Sequence, residues 1–273
     1  MSGRHGAGLV WPLVVATVAA QIAYPVLPDR ALDALTVIIV VLFFLASATH
    51  AATSRGWVWT TGYLAIAVGG GLAVEILGVH TGIPFGHYTY GASLGPHVLG
   101  VVMVIPLAWA MMAYPAYVLV RRHRRAPGRA AVVGGLILAA WDLFLDPQMV
   151  DAGHWTWAPG GGPALNGIPI SNFLGWLLVG TVMTGVLLAL PERDRSPGPE
   201  PGSGSGSGSD RAPLVLLAWT YLSSVLANLS FFGRPGVAAI GGAAMGAALL
   251  LALRRWRCDE SAAGEPVGPQ GHR

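Results

Sequence analysis

The stretch WDLFLDPQMVDAGHWTW, residues 141–157, places two acidic residues at the end of an apolar run. Asp142 and Asp146 are one helical turn apart, so both carboxyl groups leave the same face of one helix. Pro147 has no amide hydrogen for a further turn, and we therefore expect the helix to end there. A carboxyl group in hydrocarbon costs several kcal/mol unless it is paired, protonated or turned towards a polar cavity. Two of them in one membrane turn indicate acid chemistry on a lipid-soluble substrate.

The composition predicts a membrane protein that crosses the bilayer several times. Hydrophobic residues make up 53% of the 273 residues and charged residues only 11%, and the mean hydropathy is +0.58. These values exclude an ordinary soluble domain. The first apolar run is too long for a cleavable signal peptide and is expected to remain as a span. Cys258 is the one cysteine, which leaves no pair for a disulfide and no cysteine cluster for a metal.

Several apolar runs are long enough to cross about 30 Å of hydrocarbon at about 1.5 Å per residue. The predicted fold class is all-α, a polytopic transmembrane helix bundle of about eight spans. Seven spans are also possible, because only Gly233, Arg234 and Pro235 separate the last two runs. The predicted spans are residues 9–27, 31–52, 57–79, 97–119, 130–147, 169–190, 213–232 and 236–253.

The polar segments divide this chain into four parts. We expect residues 1–190 to form a membrane bundle with the site, 191–212 a flexible linker rich in Gly and Ser, 213–256 two C-terminal transmembrane helices, and 257–273 a disordered tail.

The distribution of arginine predicts the orientation. All 16 basic residues are arginine, and with both termini in the cytoplasm only Arg30 and Arg234 lie in outer segments. The run RRHRRAPGR, residues 121–129, is then an inner loop that touches anionic lipid, and no nucleic-acid partner is expected.

Polar side chains of several spans are expected to meet on the outer side. Glu75 lies near the outer end of span three and Asn172 near the outer start of span six, at a depth comparable to Asp142 and Asp146. Antiparallel neighbours bring these ends to one side, so a shared polar pocket is expected. The alternative is structural: hydrogen bonds to a neighbouring helix for Glu75 and Asp142, and a cap on the exit turn for Asp146.

Two outer segments, residues 80–96 and 148–168, are rich in Gly, Pro and aromatic residues and lack basic residues. We expect them to fold over the helix ends as a lid. Their aromatic residues are typical of an interfacial belt, although two or three rings facing inward would stabilise a carbocation. Gly71 and Gly78 beside Glu75 permit either close helix packing or a flat polyene against that face. The aromatic candidates are Phe85, Tyr88, Tyr90, Trp155, Trp157 and Trp176.

Four histidines on the outer side raise the question of a metal site. Di-iron membrane enzymes need several closely spaced histidines at helical spacing, and this chain lacks that pattern. The histidines are therefore interpreted as interfacial residues, with His80 or His154 a candidate proton relay. The four are His80, His87, His97 and His154.

Spans three to six resemble the CruF-type carotenoid biosynthesis membrane proteins, which hydrate the acyclic ends of carotenoids. Any one matching stretch is weak, but together they are specific. They are EILGxxTGIPFGxYxY (75–90), LGP (94–96), IPLAWxMMAYP (105–115), DLFLDPQMV (142–150), WTW (155–157) and GIPISNFLGW (167–176).

The resemblance implies a carotenoid 1,2-hydratase of the lyase type, in the plasma membrane. Such an enzyme adds water across the terminal double bond of an acyclic end group and gives a tertiary alcohol, without a redox cofactor or metal. The alkene must first be protonated to a tertiary cation, and a buried carboxylic acid can supply the proton. We expect Asp142 or Glu75 to be the acid, the other with Asp146 to position water, and Asn172 to orient them. The six aromatic candidates would contact the substrate.

The expected partners are the acyclic carotenoid, membrane lipid and other enzymes of carotenoid biosynthesis. Three other functions remain as alternatives: a proton-coupled transporter, a non-catalytic carotenoid-binding subunit, and a related end-group enzyme such as a cyclase or desaturase. A transporter is disfavoured because the predicted inner halves of the spans contain no acid. A cyclase shares the protonation step, and only its product distinguishes it.

Overall fold

The computed structural model describes residues 3–192 and 210–254, with side chains from residue 8. Within these ranges, eight helices are long and apolar enough to cross a membrane. The prediction of an all-α bundle with eight spans is confirmed. Most of the predicted linker, the whole predicted tail and Cys258 lie outside the described residues.

The helices follow one another along the chain with short connections. Two of them, α3 and α4, are joined by a π-helical turn, Ala65–Gly69, and together make one span. The helices are α1 (Gly3–Ala23), α2 (Leu32–Arg55), α3 (Trp57–Leu64), α4 (Gly70–Thr81), α5 (Val104–Val120), α6 (Pro127–Asp151), α7 (Ile170–Ala189), α8 (Arg211–Ser230) and α9 (Pro235–Leu253).

Helix α5 is the centre of the bundle. Its span is 89% buried, far more than any other, and α5 contacts α2, α4, α6, α7 and α8. Helix α6 packs between α7 and α9. The two C-terminal helices are therefore packed into the same bundle as the rest.

Three short two-stranded antiparallel sheets lie at one end of the bundle, called here the β end. The strand pairs are β1 (Tyr88–Tyr90) with β4 (Trp155–Trp157), β2 (His97–Val98) with β3 (Val101–Val102), and β5 (Ala164–Leu165) with β6 (Ile168–Pro169). The prediction that span four begins at residue 97 is wrong, because residues 97–102 form a hairpin and α5 begins at Val104. The glycine at position 100 has a φ of 85°, which permits this turn.

Helix α6 continues through Pro147 to Asp151, so the predicted end at Pro147 is wrong. Proline removes only its own amide donor, and the following amides still bond back along the chain: the Ala152 amide donates to the Gln148 carbonyl at 3.1 Å. A single lost bond near a helix end is tolerated inside a bundle. Asp151 ends the helix and forms an ion pair with Arg234 at 2.6 Å.

The opposite end of the bundle, called the arginine end, is held by a network of ion pairs. Asp210 at the start of α8 contacts Arg55 at 2.5 Å and Arg121 at 2.7 Å. Glu192, just after α7, contacts Arg124 at 2.6 Å and Arg121 at 3.3 Å. Because several charges share partners, this network is more stabilising than isolated surface pairs. The network joins the ends of α2 and α5 to Glu192 and Asp210, which stand on either side of residues 193–209 in the sequence.

Helices α6 and α7 approach closely where α6 has glycine. A Cβ atom added to Gly135 would lie 2.3 Å from Thr181 Oγ1 and 2.7 Å from its backbone nitrogen. Neither distance is possible without separation of the two helices, because one of the atoms is backbone. This contact fixes the position of the α7 side chains relative to α6.

We predict that Gly135→Ala lowers the free energy of unfolding by about 1–3 kcal/mol, because the methyl group forces α7 away. Thermal unfolding of the purified protein in detergent measures the change. Gly128→Ala is the matched control, since a Cβ there meets nothing within 4 Å. Equal unfolding midpoints for the two variants would contradict the close approach of α6 and α7.

The arginine distribution predicts that the arginine end faces the cytoplasm and the β end faces outward. The test uses a Cys258→Ser background, so that the introduced cysteine is the only one. A membrane-impermeant maleimide added to intact cells should label Ala92→Cys, which lies at the β end of the protein. It should label Gly128→Cys at the arginine end only after permeabilisation. Both positions are exposed. Labelling with the opposite sidedness would overturn the predicted orientation.

Candidate functional site

Glu75 on α4 accepts three hydrogen bonds from aromatic side chains. The hydroxyl groups of Tyr88 and Tyr90 donate to Oε2 at 2.5 and 2.7 Å. The indole of Trp109 on α5 donates to Oε1 at 2.8 Å. Glu75 is only 3% exposed, so these donors take the place of water around the carboxyl group. The side chain is held in one position by three separate elements of the fold.

The two-stranded sheet of β1 and β4 supplies the two tyrosines. Residues two apart in a strand share a face, so Tyr88 and Tyr90 both point inward while the intervening threonine is exposed. Trp157 and Trp155 are their partners on the neighbouring strand, with ring centroids 4.9 and 5.7 Å away. Burial raises the pKa of both Tyr88 and Tyr90, and the nearby Glu75 carboxyl raises the pKa of each further. Both phenols therefore remain protonated donors.

Asp142 and Asp146 share the side-chain amide of Asn172. The Asn172 Nδ2 atom on α7 lies 2.7 Å from Asp142 Oδ2 and 2.5 Å from Asp146 Oδ2. The Trp155 indole donates to Asp146 Oδ1 at 3.1 Å, whereas Asp142 Oδ1 is buried without a partner. The two carboxyl groups are 0% and 3% exposed. None of the ion pairs in residues 3–192 and 210–254 involves these aspartates or Glu75.

Glu75 and Asp146 face one small cavity together with Asn172. Its volume is about 30 Å³, which is enough to hold a water molecule. Ile105, Ala108 and Leu145 complete the wall. The aromatic residues that line it are Phe85, Tyr88, Tyr90, Trp155, Trp157 and Trp176.

The structure thus brings to one cavity all the site residues proposed from the sequence, with one exception. Asp142 does not line the cavity and is connected to it through Asn172 and Asp146. The segments of residues 80–96 and 148–168 meet here as expected from the sequence, since they contain β1 and β4, which pair with each other.

Two tryptophans of the site were missed in the sequence. Trp109 donates to Glu75 and stacks on Trp176, with ring centroids 3.8 Å apart. Trp141 packs edge-on against Trp176 at 5.8 Å. An indole N–H inside an apolar span needs an acceptor, and this requirement was the available signal for Trp109.

The glycine face of α4 is covered by aromatic rings. A Cβ at Gly71 would lie 3.1 Å from the Trp109 side chain, and one at Gly78 would lie 2.8 Å from the Tyr88 hydroxyl oxygen and 2.9 Å from Phe85. The suggestion that a polyene lies against this face is therefore wrong, because the rings that hold Glu75 occupy the space. Close packing is the role of these glycines.

The histidines of the β end do not converge. His80, His87 and His97 are exposed, whereas His154 is buried and bonds the Ser93 hydroxyl at 2.7 Å. Burial lowers the pKa of His154, and Asp33 opposes that shift. The described part of the chain holds no group of three or more His, Cys, Asp or Glu residues that could bind a metal ion.

Comparisons with known proteins agree on one family. A model of the carotenoid biosynthesis protein family matches residues 35–251. The chain is also 37% identical over 173 residues to a protein of Haloarcula japonica named bisanhydrobacterioruberin hydratase. That match covers 62% of this chain but only 57% of the relative's length. No solved structure matches the chain.

The geometry predicts that Asp142→Asn does not lower stability. The substitution keeps the shape of the side chain, removes one of two crowded carboxyl groups, and supplies an amide that can donate to Asp146. Groups retained for chemistry commonly reduce stability in this way. Thermal unfolding in detergent should give an equal or higher midpoint than for the wild type.

Asn172→Leu is the contrasting variant. It leaves both aspartates without their shared donor, and we expect a loss of about 1–3 kcal/mol in the free energy of unfolding. If Asp142→Asn destabilised the protein as much as Asn172→Leu does, the Asp142 carboxyl would have a structural role.

Proposed function

This chain belongs to the carotenoid biosynthesis protein family, and we propose that it is a carotenoid 1,2-hydratase. It adds water across the terminal double bond of an acyclic carotenoid end group and forms a tertiary alcohol. The name of the Haloarcula japonica relative, a hydratase, supports this assignment. The observation that carries it is the cavity between Glu75 and Asp146, which has room for water and is lined by aromatic rings.

Hydration of this alkene requires an acid, a water molecule and protection of a cation. The acid forms a new C–H bond at the terminal alkene carbon, the π bond breaks, and a tertiary carbocation results. Water then forms the C–O bond and gives up a proton to a base. No electrons are transferred to or from the substrate, so the reaction needs no redox cofactor.

The aspartate pair is assigned as the acid. Asp146 lines the cavity, and Asp142 stands behind it on the same Asn172 amide. Two carboxyl groups this close, without a cation, are most stable when they share a proton. Asp146 delivers that proton to the alkene, and Asp142 holds the remaining charge with it. Asn172 keeps both carboxyl groups in register.

Glu75 is assigned as the base that positions water. Its three donors fix the carboxyl group at the cavity wall, where it can accept a hydrogen bond from one water molecule and then its proton. The rings of Tyr88, Trp157 and Trp176 supply electron-rich faces that stabilise the cation before water attacks. The proton returns to the aspartate pair before the next cycle, because hydration consumes no net proton.

The site also bears on the rival functions. Apart from this cluster, the acids of the described helices lie at or near helix ends, where Glu192 and Asp210 pair with arginine. A proton-coupled transporter would need a relay that continues to the arginine end. A cyclase would use the same acid but would need no water beside the cation, and a cavity with room for water favours hydration.

The setting of the reaction is the cell membrane. The chain is a multi-pass membrane protein by its eight spans, and we assign it to the plasma membrane with the β end outward. Its partners are an acyclic carotenoid, the surrounding lipid and the enzymes that make or use the carotenoid.

Expression in a host that accumulates lycopene tests the proposal. Mass analysis of the pigments should show a product heavier by one water. The product should disappear with Asp146→Asn and with Glu75→Gln, because each removes a proton donor or acceptor from the cavity. Asp151→Asn is the matched control: it changes an exposed acid on the same helix and should leave the product unchanged.

Two results would overturn the assignment. Unchanged pigments across several acyclic carotenoids, with correctly inserted protein, would exclude hydration. A product with the mass of the substrate but a cyclic end group would identify the alternative, a cyclase.

A further inference from the structure

A second and much larger cavity lies between α1, α2, α6 and α8. Its volume is about 310 Å³, within the range of about 300–1,000 Å³ that is usual for small-molecule sites. Side chains along α8 line it from Trp219 to Asn228, a length of about 14 Å at 1.5 Å per residue. The space therefore suits an elongated molecule better than a compact one.

The cavity reaches from the lipid-facing surface to the core. Ile22 on α1 and Leu226 on α8 line it and are 56% and 57% exposed. At the other extreme, Phe43 and Phe144 line it and are 0% and 2% exposed. A molecule dissolved in the bilayer would enter sideways, between α1 and α8, without passing through water.

Most of the wall is apolar, and several of its polar side chains already have partners on their own helices. Thr36 donates to the Leu32 carbonyl at 2.8 Å, Thr220 to the Leu216 carbonyl at 2.8 Å, and Asn228 to a carbonyl one turn back at 2.9 Å. Donors that are satisfied in this way need nothing from an occupant. Three atoms of the same wall are buried and have no hydrogen-bond partner among the described residues: Gln21 Oε1, Trp219 Nε1 and Asn228 Oδ1. The wall can therefore accept hydrocarbon along its apolar part and offers hydrogen-bonding groups at these three atoms.

This cavity adjoins the carboxyl site. Leu145 lines both cavities, and it stands beside Asp146 on α6. Trp141 lines the large cavity and packs on Trp176, which lines the small one. The partition between them is thus one aliphatic side chain and a pair of rings.

We infer that the large cavity binds the polyene segment next to the reacting end group, and that the end group reaches the carboxyl site past Leu145. The inference rests on the proposed function for the identity of the chain that enters. The small cavity, at about 30 Å³, is much smaller than the large cavity at about 310 Å³, so the long polyene must lie in the larger space. The end group must pass the wall between the two cavities, and Leu145 is the side chain common to both.

A bulky side chain in the large cavity tests the inference. Ser223 lines the cavity, whereas the neighbouring Leu222 on α8 does not and is 60% exposed. Ser223→Trp and Leu222→Trp therefore add the same ring on two different faces of one helix, about 100° apart around its axis. The proteins are purified from a host that accumulates lycopene, and the pigment retained per protein is measured by absorbance alongside the hydrated product.

Ser223→Trp should lower the retained pigment and the hydrated product by about tenfold or more, equivalent to about 1.4 kcal/mol of binding. Leu222→Trp should change neither. If Ser223→Trp does not accumulate, Leu226→Trp at the mouth is used with Leu229→Trp as its control. Both leucines are 57% exposed and only Leu226 lines the cavity.

Pigment retention separates this inference from the proposed function. Wild-type protein that retains pigment but makes no alcohol would reject the hydratase assignment and leave the binding cavity supported. Wild-type amounts of pigment and alcohol in Ser223→Trp would overturn the cavity assignment. Recovery of phospholipid alone from the wild type, with hydration unaffected by the added ring, would also overturn it.

Discussion

Carboxyl groups withdrawn from water need hydrogen-bond donors, and much of the β end serves to supply them. Glu75 receives donors from α5 and from strand β1, and the aspartates receive theirs from α7 and β4. These donors can reach the acids only if α4, α5, α6 and α7 hold fixed relative positions. The glycine contact between α6 and α7 and the aromatic cover on α4 meet that requirement. The hydrogen bonds of the site therefore depend on the packing of the helices around it.

The features of this arrangement that could be predicted are those that depend on residues close together in the sequence. Helical spacing placed Asp142 and Asp146 on one face, and hydropathy located the spans, because both depend on near neighbours in the chain. The pairing of Tyr88 with Trp157 could not be predicted, since it joins residues far apart in sequence. Trp109 was missed for the same reason: its acceptor lies on another helix. The end of α6 was wrongly placed at Pro147 because a helix inside a bundle tolerates a lost backbone hydrogen bond that an isolated helix would not.

The two cavities differ in the polarity of their walls, and the proposed hydration of a long hydrocarbon would use both. The small one has acids, an amide and aromatic rings around a space with room for water, whereas the large one has mostly apolar walls that open towards lipid. A substrate that is hydrocarbon along its length and reactive at its tip needs both environments in contact. Neither α1 nor α8 carries an acid of the site, yet both line the larger cavity, so the proposed binding of the polyene there would give these helices a part in substrate selection.

The ion pairs at the arginine end indicate where the chain tolerates inserted residues. Arg121 contacts both Glu192 and Asp210, so the chain departs from the bundle and rejoins it at nearly the same point. Residues inserted between these two acids would not have to span any distance, and the cost of closing a longer loop grows only slowly with its length. A reporter protein inserted at this position is therefore expected to leave the helices undisturbed.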